Sequence, residues 1–466
     1  MSSGPKEPQS ATATSEAVPA GGLLDLVVRF LSSMKLSVWL VLLLGLLTWL
    51  GTLAQIDRST YDVQTEYFES WFVVAQLPVS IWGNHYFTLS IPLPGAYPVM
   101  GLLFLNLVVG GLVRMKWRTR NLGVLITHLG IALLLVAGFV KMHYSYAGNL
   151  SLYEAPSGGG GLSGRVYQSS RFVSFHDYEL ALLVDKGDSI EERVVPESAL
   201  WPARLAGERQ SVSSGRGWLR SVQRFASKLF GQAEGQVVTL APEGLPFTIE
   251  VRDFVDHARV LPATRSGTPC EPIDGVALHP QTWRDGEQPR SEAEIAGCYV
   301  TVLPKNGKPQ QAILYGLPRL PFDEARYPFT FTVDGVRYGL DLRHVVRDLP
   351  FALKLRKFQK LDHPGTMSPR DFRSFVTVVD PEGAQDAEIF MNNPLRRDGF
   401  VVYQTSWGPQ PMGGPPWYSV FEVSYNPSDA WPILACAVIA FGLLLHFVVK
   451  LFRFLESSTR SSLNQS

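Results

Sequence analysis

The sequence predicts a membrane protein with four transmembrane α-helices and a large extracytoplasmic β-rich domain, sandwich- or barrel-like, inserted between helices 3 and 4. Two observations predict this fold class. The apolar residues are concentrated in four long blocks, and each block approaches the roughly 20 residues that cross a bilayer. Between the third and fourth blocks, short runs of alternating or β-branched residues separated by turn residues indicate strands.

The four apolar blocks predict the spanning helices in order. A Ser-, Ala-, Pro- and Gly-rich N-terminus, residues 1–22, is expected to be a disordered cytoplasmic tail. Residues 23–56 hold an amphipathic lead-in and the first helix, which is too long and too far from the N-terminus to be a cleavable signal. The remaining helices are predicted at 97–113, 122–140 and 430–449.

Basic residues beside these blocks predict the orientation in the membrane. The loop 114–121 carries basic residues and no acidic one, namely Arg114, Lys116, Arg118 and Arg120. Because excess Lys and Arg marks cytoplasmic loops, we expect this loop and both termini, including a tail at 450–466, on the cytoplasmic side of the inner membrane. Residues 57–96 then form a short outer loop, and residues 141–429 form the periplasmic or otherwise extracytoplasmic domain.

The outer domain contains typical strand patterns such as Phe329–Val333 and Phe375–Val379. Residues 206–234 interrupt this pattern with basic, Ser and Gly residues around a few apolar ones. This segment is either a short amphipathic helix at the membrane surface or a solvated helix within a loop.

Composition excludes several classes of protein. The chain has 42 basic and 42 acidic residues, so its net charge favours no nucleic acid partner. It has no C-x-x-C or C-x-x-C-H motif, which excludes a c-type cytochrome and a thioredoxin-like reductase. Cys270 and Cys298 fall in polar loops of the outer domain, where they either form a disulfide or stay as exposed thiols. Cys436, in the fourth block, is predicted to be a small packing residue.

Two histidines lie within apolar blocks. His128 is about 9 Å past the cytoplasmic start of the third helix and His446 is about 6 Å from the cytoplasmic end of the fourth, at 1.5 Å per residue. A membrane-embedded imidazole needs a metal or a hydrogen-bond partner, so both are candidate ligands, His128 first. The alternative for His128 is a bond to the Thr127 hydroxyl or to an interhelical carbonyl. The outer-domain histidines lack metal-ligand spacing and are predicted to be surface residues: His176, His257, His279, His344 and His363.

Several motifs resemble the ResB (CcsB-type) family, a membrane subunit of the system II cytochrome c biogenesis or haem lyase complex. The motifs are Lys35–Leu44 with Leu50–Gln55, Thr127–Leu135 with Gly148–Glu154, His363–Pro369, Asp371–Ser374, Asn392–Leu395 and Gly399–Gln404. The set that includes Asn393, Pro394, Tyr403 and Gln404 is the most specific. Residues 195–310 match none of these motifs, so their role is open.

The resemblance implies a function in haem handling. Such a two-subunit cytochrome c synthase transports haem b across the membrane and attaches it to the C-x-x-C-H cysteines of apocytochrome c. In this family a histidine of the third helix is regarded as an axial ligand of transmembrane haem iron, and His128 occupies that position. The implied partners are apocytochrome c, a thioredoxin-like thiol-reducing protein, membrane lipid and a CcsA-type membrane subunit that holds most of the catalytic centre.

Two other functions fit the residues. One is a non-catalytic chaperone or assembly factor for apocytochrome, with His128 hydrogen-bonded inside the helix bundle. The other is a b-type electron-transfer membrane subunit that uses His128 and His446 as a bis-histidine pair, which requires the third and fourth helices to touch.

Overall fold

The structure is a computed structural model that describes most of the chain. The described residues are 22–56, 58–81, 84–115, 118–156, 165–200, 203, 237–263, 272–280, 295–317, 328–366, 368–408 and 417–463. The predictions for residues 1–21, for the segment 206–234 and for Cys270 lie outside these ranges.

Four helices in the described chain are long and apolar enough to cross a membrane. They are Met34–Ala54, Ala96–Val113, Thr119–Tyr144 and Trp431–Ser458, here called spans one to four. Each coincides with one of the apolar blocks, and large apolar side chains such as Trp39, Phe139 and Phe441 are exposed on them. These features fit a membrane protein, because lipid accepts apolar side chains on the outer faces of helices.

The spans contain local breaks. The amphipathic helix α1 (Leu23–Leu31) precedes span one, which is the helix α2, and two residues separate them. Span two begins as an α-helix and changes to π-helical geometry over Leu107–Val113. The helix of span four continues to Leu463, through most of the residues predicted as a tail.

The described residues between spans one and two include short helical elements and a hairpin. A one-turn helix, Thr60–Val63, begins at Ser59, whose hydroxyl accepts a hydrogen bond from the Asp62 amide at 3.2 Å. It leads into a π turn and then into an antiparallel hairpin of β1 (Phe72–Ile81) and β2 (Asn84–Pro94).

The remaining described strands lie between spans three and four in the chain. They are β3 Tyr146–Tyr153, β4 Gln168–Asp185, β5 Ile190–Pro196, β6 Val238–Leu240, β7 Phe247–Val255, β8 Ala258–Pro262, β9 Val276–Pro280, β10 Gly297–Pro304, β11 Gln310–Tyr315, β12 Phe329–Val333, β13 Val336–Asp362, β14 Pro369–Asp380, β15 Gly383–Phe390, β16 Leu395–Arg397, β17 Phe400–Gly408 and β18 Tyr418–Tyr425. The predicted β-rich region is therefore confirmed.

These strands form three sheets. A ten-stranded sheet has the order β15-β14-β13-β4-β3-β18-β17-β16, with β12 beside β13 and β5 beside β4. A four-stranded sheet has the order β11-β10-β7-β6, and β8 pairs with β9. The hydroxyl of Ser374 on β14 donates to Gln404 on β17 at 3.0 Å, so strands from opposite parts of the large sheet meet.

The chain divides into two compact units. The helical unit comprises the described parts of 1–42, 100–132 and 436–466; the β unit comprises those of 43–99 and 133–435. The β unit has two large apolar cores, one between the four-stranded sheet and the first half of β13, the other around the second half of β13.

Burial in the β unit corrects two sequence predictions. Cys298 is 0% exposed and lies on β10 inside the first core, so the prediction of a polar loop is wrong. Its thiol is free, and burial raises its pKa to about 12. The prediction that all outer-domain histidines lie on the surface is also wrong, since His344 is 9% exposed and His176, His257 and His279 are half-buried. His176, His279 and His344 lie on strands, where alternation can turn a side chain inward, and His257 lies in the connection between β7 and β8. Only His363 among the five is exposed.

Candidate haem-ligating site

The imidazole of His128 is held by its own helix. Its Nδ1 lies 2.7 Å from the carbonyl oxygen of Val124, one turn earlier in span three. A carbonyl can only accept, so Nδ1 carries the proton and donates it, which leaves the lone pair of the neutral ring on Nε2. Among the described residues, Nε2 has no hydrogen-bond partner. The expected partners of the alternative interpretation, the Thr127 hydroxyl and an interhelical carbonyl, are therefore not the ones used, because the Thr127 hydroxyl donates to Gly123 at 2.9 Å.

Span two approaches this imidazole at a glycine. A methyl group at Gly111 would lie 2.4 Å from Cδ2 and 3.1 Å from Nε2 of His128, so only a residue without a side chain fits there. Gly111 is buried and belongs to the π-helical segment of span two. Segments of π-helix inside α-helices occur frequently at functional sites. The His128 ring thus faces a local irregularity of the neighbouring helix.

Span three contacts span four through a different face. A methyl group at Gly442 would lie 2.6 Å from the backbone nitrogen of Thr127, and one at Gly123 would lie 2.5 Å from that of His446. The two helices therefore touch, as the bis-histidine hypothesis required. At about 100° per residue, however, His128 is rotated by about 140° from Gly123 and about 100° from Thr127 around the axis of span three. The face that carries His128 is not the face that contacts span four.

A buried asparagine anchors span two to the start of span one. Asn106 is 7% exposed, and its Oδ1 accepts a bond of 2.6 Å from the Ser37 hydroxyl. Its Nδ2 donates to the carbonyls of Leu31 at 2.6 Å and Ser33 at 3.1 Å, which flank the break between α1 and α2. One amide thus bonds to the Leu31 carbonyl at the end of α1 and adds a second donor to the Ser33 carbonyl, which also accepts from the Ser37 backbone amide at 3.3 Å.

The remaining predicted site residues belong to the β unit. Asn393 follows a turn in which Asn392 has a φ of 62°, and its amide donates to the carbonyl of Glu388 at 3.1 Å. Pro394 follows in the same connection, and Tyr403 is 39% exposed on β17.

Gln404 has a different environment from its neighbour Tyr403. It accepts from Ser374, whose hydroxyl lies 2.8 Å from that of Ser419, and both serines are fully buried. These contacts engage Oε1 of the half-buried Gln404, whereas its buried Nε2 has no hydrogen-bond partner among the described residues.

The residues at the contacts of span three with its neighbours, and the asparagine that fixes span two, were not predicted from the sequence. Gly111, Gly123 and Gly442 permit the close approaches, and Asn106 fixes the adjoining helix. Small residues inside apolar helices and a lone asparagine in a span are recognised signals of helix contact in membranes. They indicate that a contact exists, but not which helix makes it.

Comparison with known proteins supports the resemblance. Residues 330–414, which run from β12 through β17, match the ResB-like family. The chain is also similar to Protein NrfI of Wolinella succinogenes, with 32% identity over 108 residues. This match covers 23% of the chain and 11% of that protein, so the chain spans far less than two thirds of the length of this relative.

The family match falls on the part of the β unit in which the motifs at 363–369, 392–395 and 399–404 were recognised. It confirms that the chain resembles the ResB-like family, and residues 330–414 carry the match.

Proposed function

We propose that this chain is a membrane subunit of a cytochrome c biogenesis complex and binds haem b during its transport, with Nε2 of His128 as an axial ligand of the iron. The matches to the ResB-like family and to NrfI support the role in cytochrome c biogenesis. The state of the His128 imidazole supports the ligand.

The single observation that carries the ligand assignment is the bond from Nδ1 of His128 to the Val124 carbonyl at 2.7 Å. Histidines that bind metals almost always donate the other ring N–H to a carbonyl, carboxylate or water, which fixes the tautomer and the orientation of the ring. A neutral imidazole with a free nitrogen is also a common ligand of haem iron. The residues present therefore fit haem.

The neighbouring residues keep Nε2 of the His128 imidazole available as a ligand. Val124 holds the proton on Nδ1, and Gly111 leaves the space that a larger residue would take from the ring. The apolar side chains of the spans exclude water from the ring. Haem, when bound, would supply the iron that Nε2 of His128 would hold, and we assign a further ligand and most of the catalytic centre to a CcsA-type partner.

The proposed topology is compatible with this function. The basic loop 114–121 supports an orientation with cytoplasmic termini, in which the His128 end of span three lies near the cytoplasmic leaflet and the β unit lies on the extracytoplasmic side. There it would receive apocytochrome c and thioredoxin-like thiol-reducing proteins. The non-catalytic chaperone or assembly factor for apocytochrome remains an alternative function. It predicts that this chain binds no haem.

The electron-transfer alternative is less well supported. Spans three and four do touch, but at Gly123 and Gly442 rather than at His128. A bis-histidine pair needs both imidazoles to face one space, whereas the helical rotation directs His128 toward Gly111 of span two.

Co-purification with the CcsA-type partner, followed by a haem spectrum, tests the proposal. We expect His128→Ala to reduce the ratio of haem to polypeptide at least tenfold, and His446→Ala to retain it. Unchanged haem in both variants would exclude ligation by this chain. Haem that binds without a partner and needs both histidines would favour electron transfer.

A pair of glycine variants separates ligation from general damage. Gly111→Ala places a methyl group against the His128 ring, whereas a methyl group at Gly101, also in span two, meets no atom within 4 Å. We expect Gly111→Ala to lower haem content severalfold and Gly101→Ala to leave it unchanged. Equal haem content in the two variants would contradict the role of Gly111.

A further inference from the structure

A small, half-open cavity lies in the β unit, where the one-turn helix after span one packs against the strands. Tyr61 and Asp62 line it from the helix, and His176, Asp256 and His257 are among those that line it from the strands and their connections. The Tyr61 and His176 rings are stacked with centroids 3.6 Å apart. Nε2 of His257 lies 3.3 Å from Asp62.

Negative charge dominates this cavity. Its lining includes four carboxylates, those of Asp62, Asp177, Glu197 and Asp256, and neither Lys nor Arg among the described residues. Asp177 pairs with Arg347 at 3.0 Å, and Glu197 accepts the amide of Tyr178 at 3.2 Å. The basic partner nearest along the chain, Arg58, is engaged by Glu66.

The titratable side chains that line the cavity also indicate a negative electrostatic potential inside it. Burial lowers the pKa of His176 to about 4, so this imidazole adds no positive charge near neutral pH. The pKa of Tyr178 is raised by burial and further by Glu197 and Asp256. A cationic group that entered the cavity would be attracted by the carboxylates around it.

Asp62 is the residue that points to a ligand. It is 4% exposed, yet its Oδ1 has no hydrogen-bond partner among the described residues. Burying a carboxylate oxygen without a donor is costly. Glu66, one turn later and 2% exposed, has an arginine partner instead. Asp62 therefore presents one buried oxygen, Oδ1, without a donor among the described residues, while His257 lies beside the other oxygen.

The dimensions of the cavity limit the ligand. Its volume of about 50 Å³ has room for roughly three to five waters at 10–15 Å³ each. That is the size of a guanidinium, which is planar, presents several N–H donors and stacks on aromatic rings. The stacked Tyr61 and His176 rings supply such a surface.

We infer that this cavity receives an arginine side chain of a partner polypeptide, with Asp62 as the principal acceptor and the Tyr61–His176 pair as the stacking surface. The site belongs to the β unit and does not depend on haem ligation by His128. Loss of one function therefore leaves the other measurable.

Calorimetric titration of the full chain in detergent with Nα-acetyl-arginine methylamide tests this inference. We expect saturable binding at neutral pH, and at least tenfold weaker binding of the citrulline analogue, which keeps the shape without the charge. Equal binding of both probes, or saturable binding of ethanolamine as strong as that of the arginine probe, would overturn it. So would the absence of saturable binding to the wild-type protein.

Variants locate the site. Asp62→Asn should weaken binding of the arginine probe at least tenfold, and Asp256→Asn should weaken it as well and serves if Asp62→Asn does not fold. Asp185→Asn is the matched control, because Asp185 pairs with Arg337 on the surface, away from the cavity lining. Undiminished binding in a folded Asp62→Asn or Asp256→Asn variant would contradict the assignment.

Discussion

The helical unit and the β unit differ in the side chains that fill their interiors, although both contain glycines that a neighbouring atom approaches closely, such as Gly111 and Gly148. In the helical unit the closest approaches occur at Gly111, Gly123 and Gly442, where a neighbouring backbone or ring occupies the place of a side chain. In the β unit the interior consists of large apolar side chains such as Phe351 and Phe421, each at most 2% exposed. The difference follows from the solvent, since lipid does not drive apolar helices together and water does drive apolar strands into a core.

Polar groups inside the two units use both backbone and side-chain partners. Asn106 bonds to the Leu31 carbonyl and to the Ser37 hydroxyl, and the half-buried His128 bonds to a carbonyl of its own helix. In the β unit, Ser374, Ser419 and Gln404 bond to one another through side chains. Adding a methyl group should therefore damage the helical unit, and removing apolar volume should damage the β unit.

The largest effect is expected from Phe351→Ala. Phe351 is 2% exposed in the second core of the β unit, and truncating such a phenylalanine costs about 3–5 kcal/mol of unfolding free energy. Thermal unfolding followed by circular dichroism measures the loss. Ile190→Ala is the control, because Ile190 is 67% exposed and should change the transition little. A similar shift in both variants would contradict the assignment of this core.

Gly442→Ala should cost about 3 kcal/mol in the helical unit, because the added methyl group meets the Thr127 backbone at 2.6 Å and overpacking costs up to that amount. Thermal unfolding of the helices in detergent measures it. Gly101→Ala adds the same methyl group into open space and should be neutral or slightly stabilising. If Gly442→Ala is as stable as Gly101→Ala, spans three and four do not pack through these glycines.

The pH dependence of the β unit is the next largest effect. The pKa of His176 is about 4 in the folded chain, lowered by burial against the opposing charges of Asp177 and Asp62, and is 6.5 in the unfolded chain. Above pH 6.5 the imidazole of His176 is neutral in both states, and the free energy of unfolding keeps its full value. As the pH falls from about 6.5 to about 4, the unfolded chain binds the proton before the folded chain does, so the free energy of unfolding decreases. Allowing for partial exposure of the ring, we expect the free energy of unfolding to decrease by about 2 kcal/mol over this range.

His176→Phe isolates this contribution. Phenylalanine preserves an aromatic ring for stacking on Tyr61 and cannot titrate. The difference in unfolding temperature between wild type and this variant should change over the range from pH 6.5 to pH 4. A difference that stays constant across that range would show that His176 does not titrate as proposed.

Asn106→Ala should have the smallest effect, about 1–2 kcal/mol, because two carbonyls lose a donor and one hydroxyl loses an acceptor in the helical unit. Thermal unfolding in detergent measures it, with Ser37→Ala as a milder comparison. A variant as stable as the wild type would show that lipid or water replaces these bonds.

The four spans were predictable because each is a local property of the sequence. An apolar run of this length is most stable as a helix inside a bilayer, and spans one to four all fall on such runs. The strand-rich region was predictable for a similar reason, since alternation and turn residues are local signals. Sheet order was not, because β13 pairs with β4, which begins 168 residues earlier in the chain.

Of the candidate site, the sequence predicted one residue, His128, and not the contacts of its side chain. The cost of an imidazole in an apolar helix singled out His128. Its contact with Gly111 depends on how the helices are rotated, and its hydrogen bond to the Val124 carbonyl rather than to the Thr127 hydroxyl depends on the orientation of the ring. The sequence specifies neither. The histidines of the β unit were misjudged for a related reason. His176 is half-buried because Tyr61, more than a hundred residues earlier, stacks on it.

Chemical rescue of a His128→Gly variant, co-purified with the proposed CcsA-type partner, tests haem ligation by His128 most directly. We expect this variant to lose at least nine-tenths of the haem absorption, and added imidazole to restore a spectrum of two axial nitrogen ligands. A variant that retains the wild-type haem content and spectrum without imidazole would contradict ligation by His128.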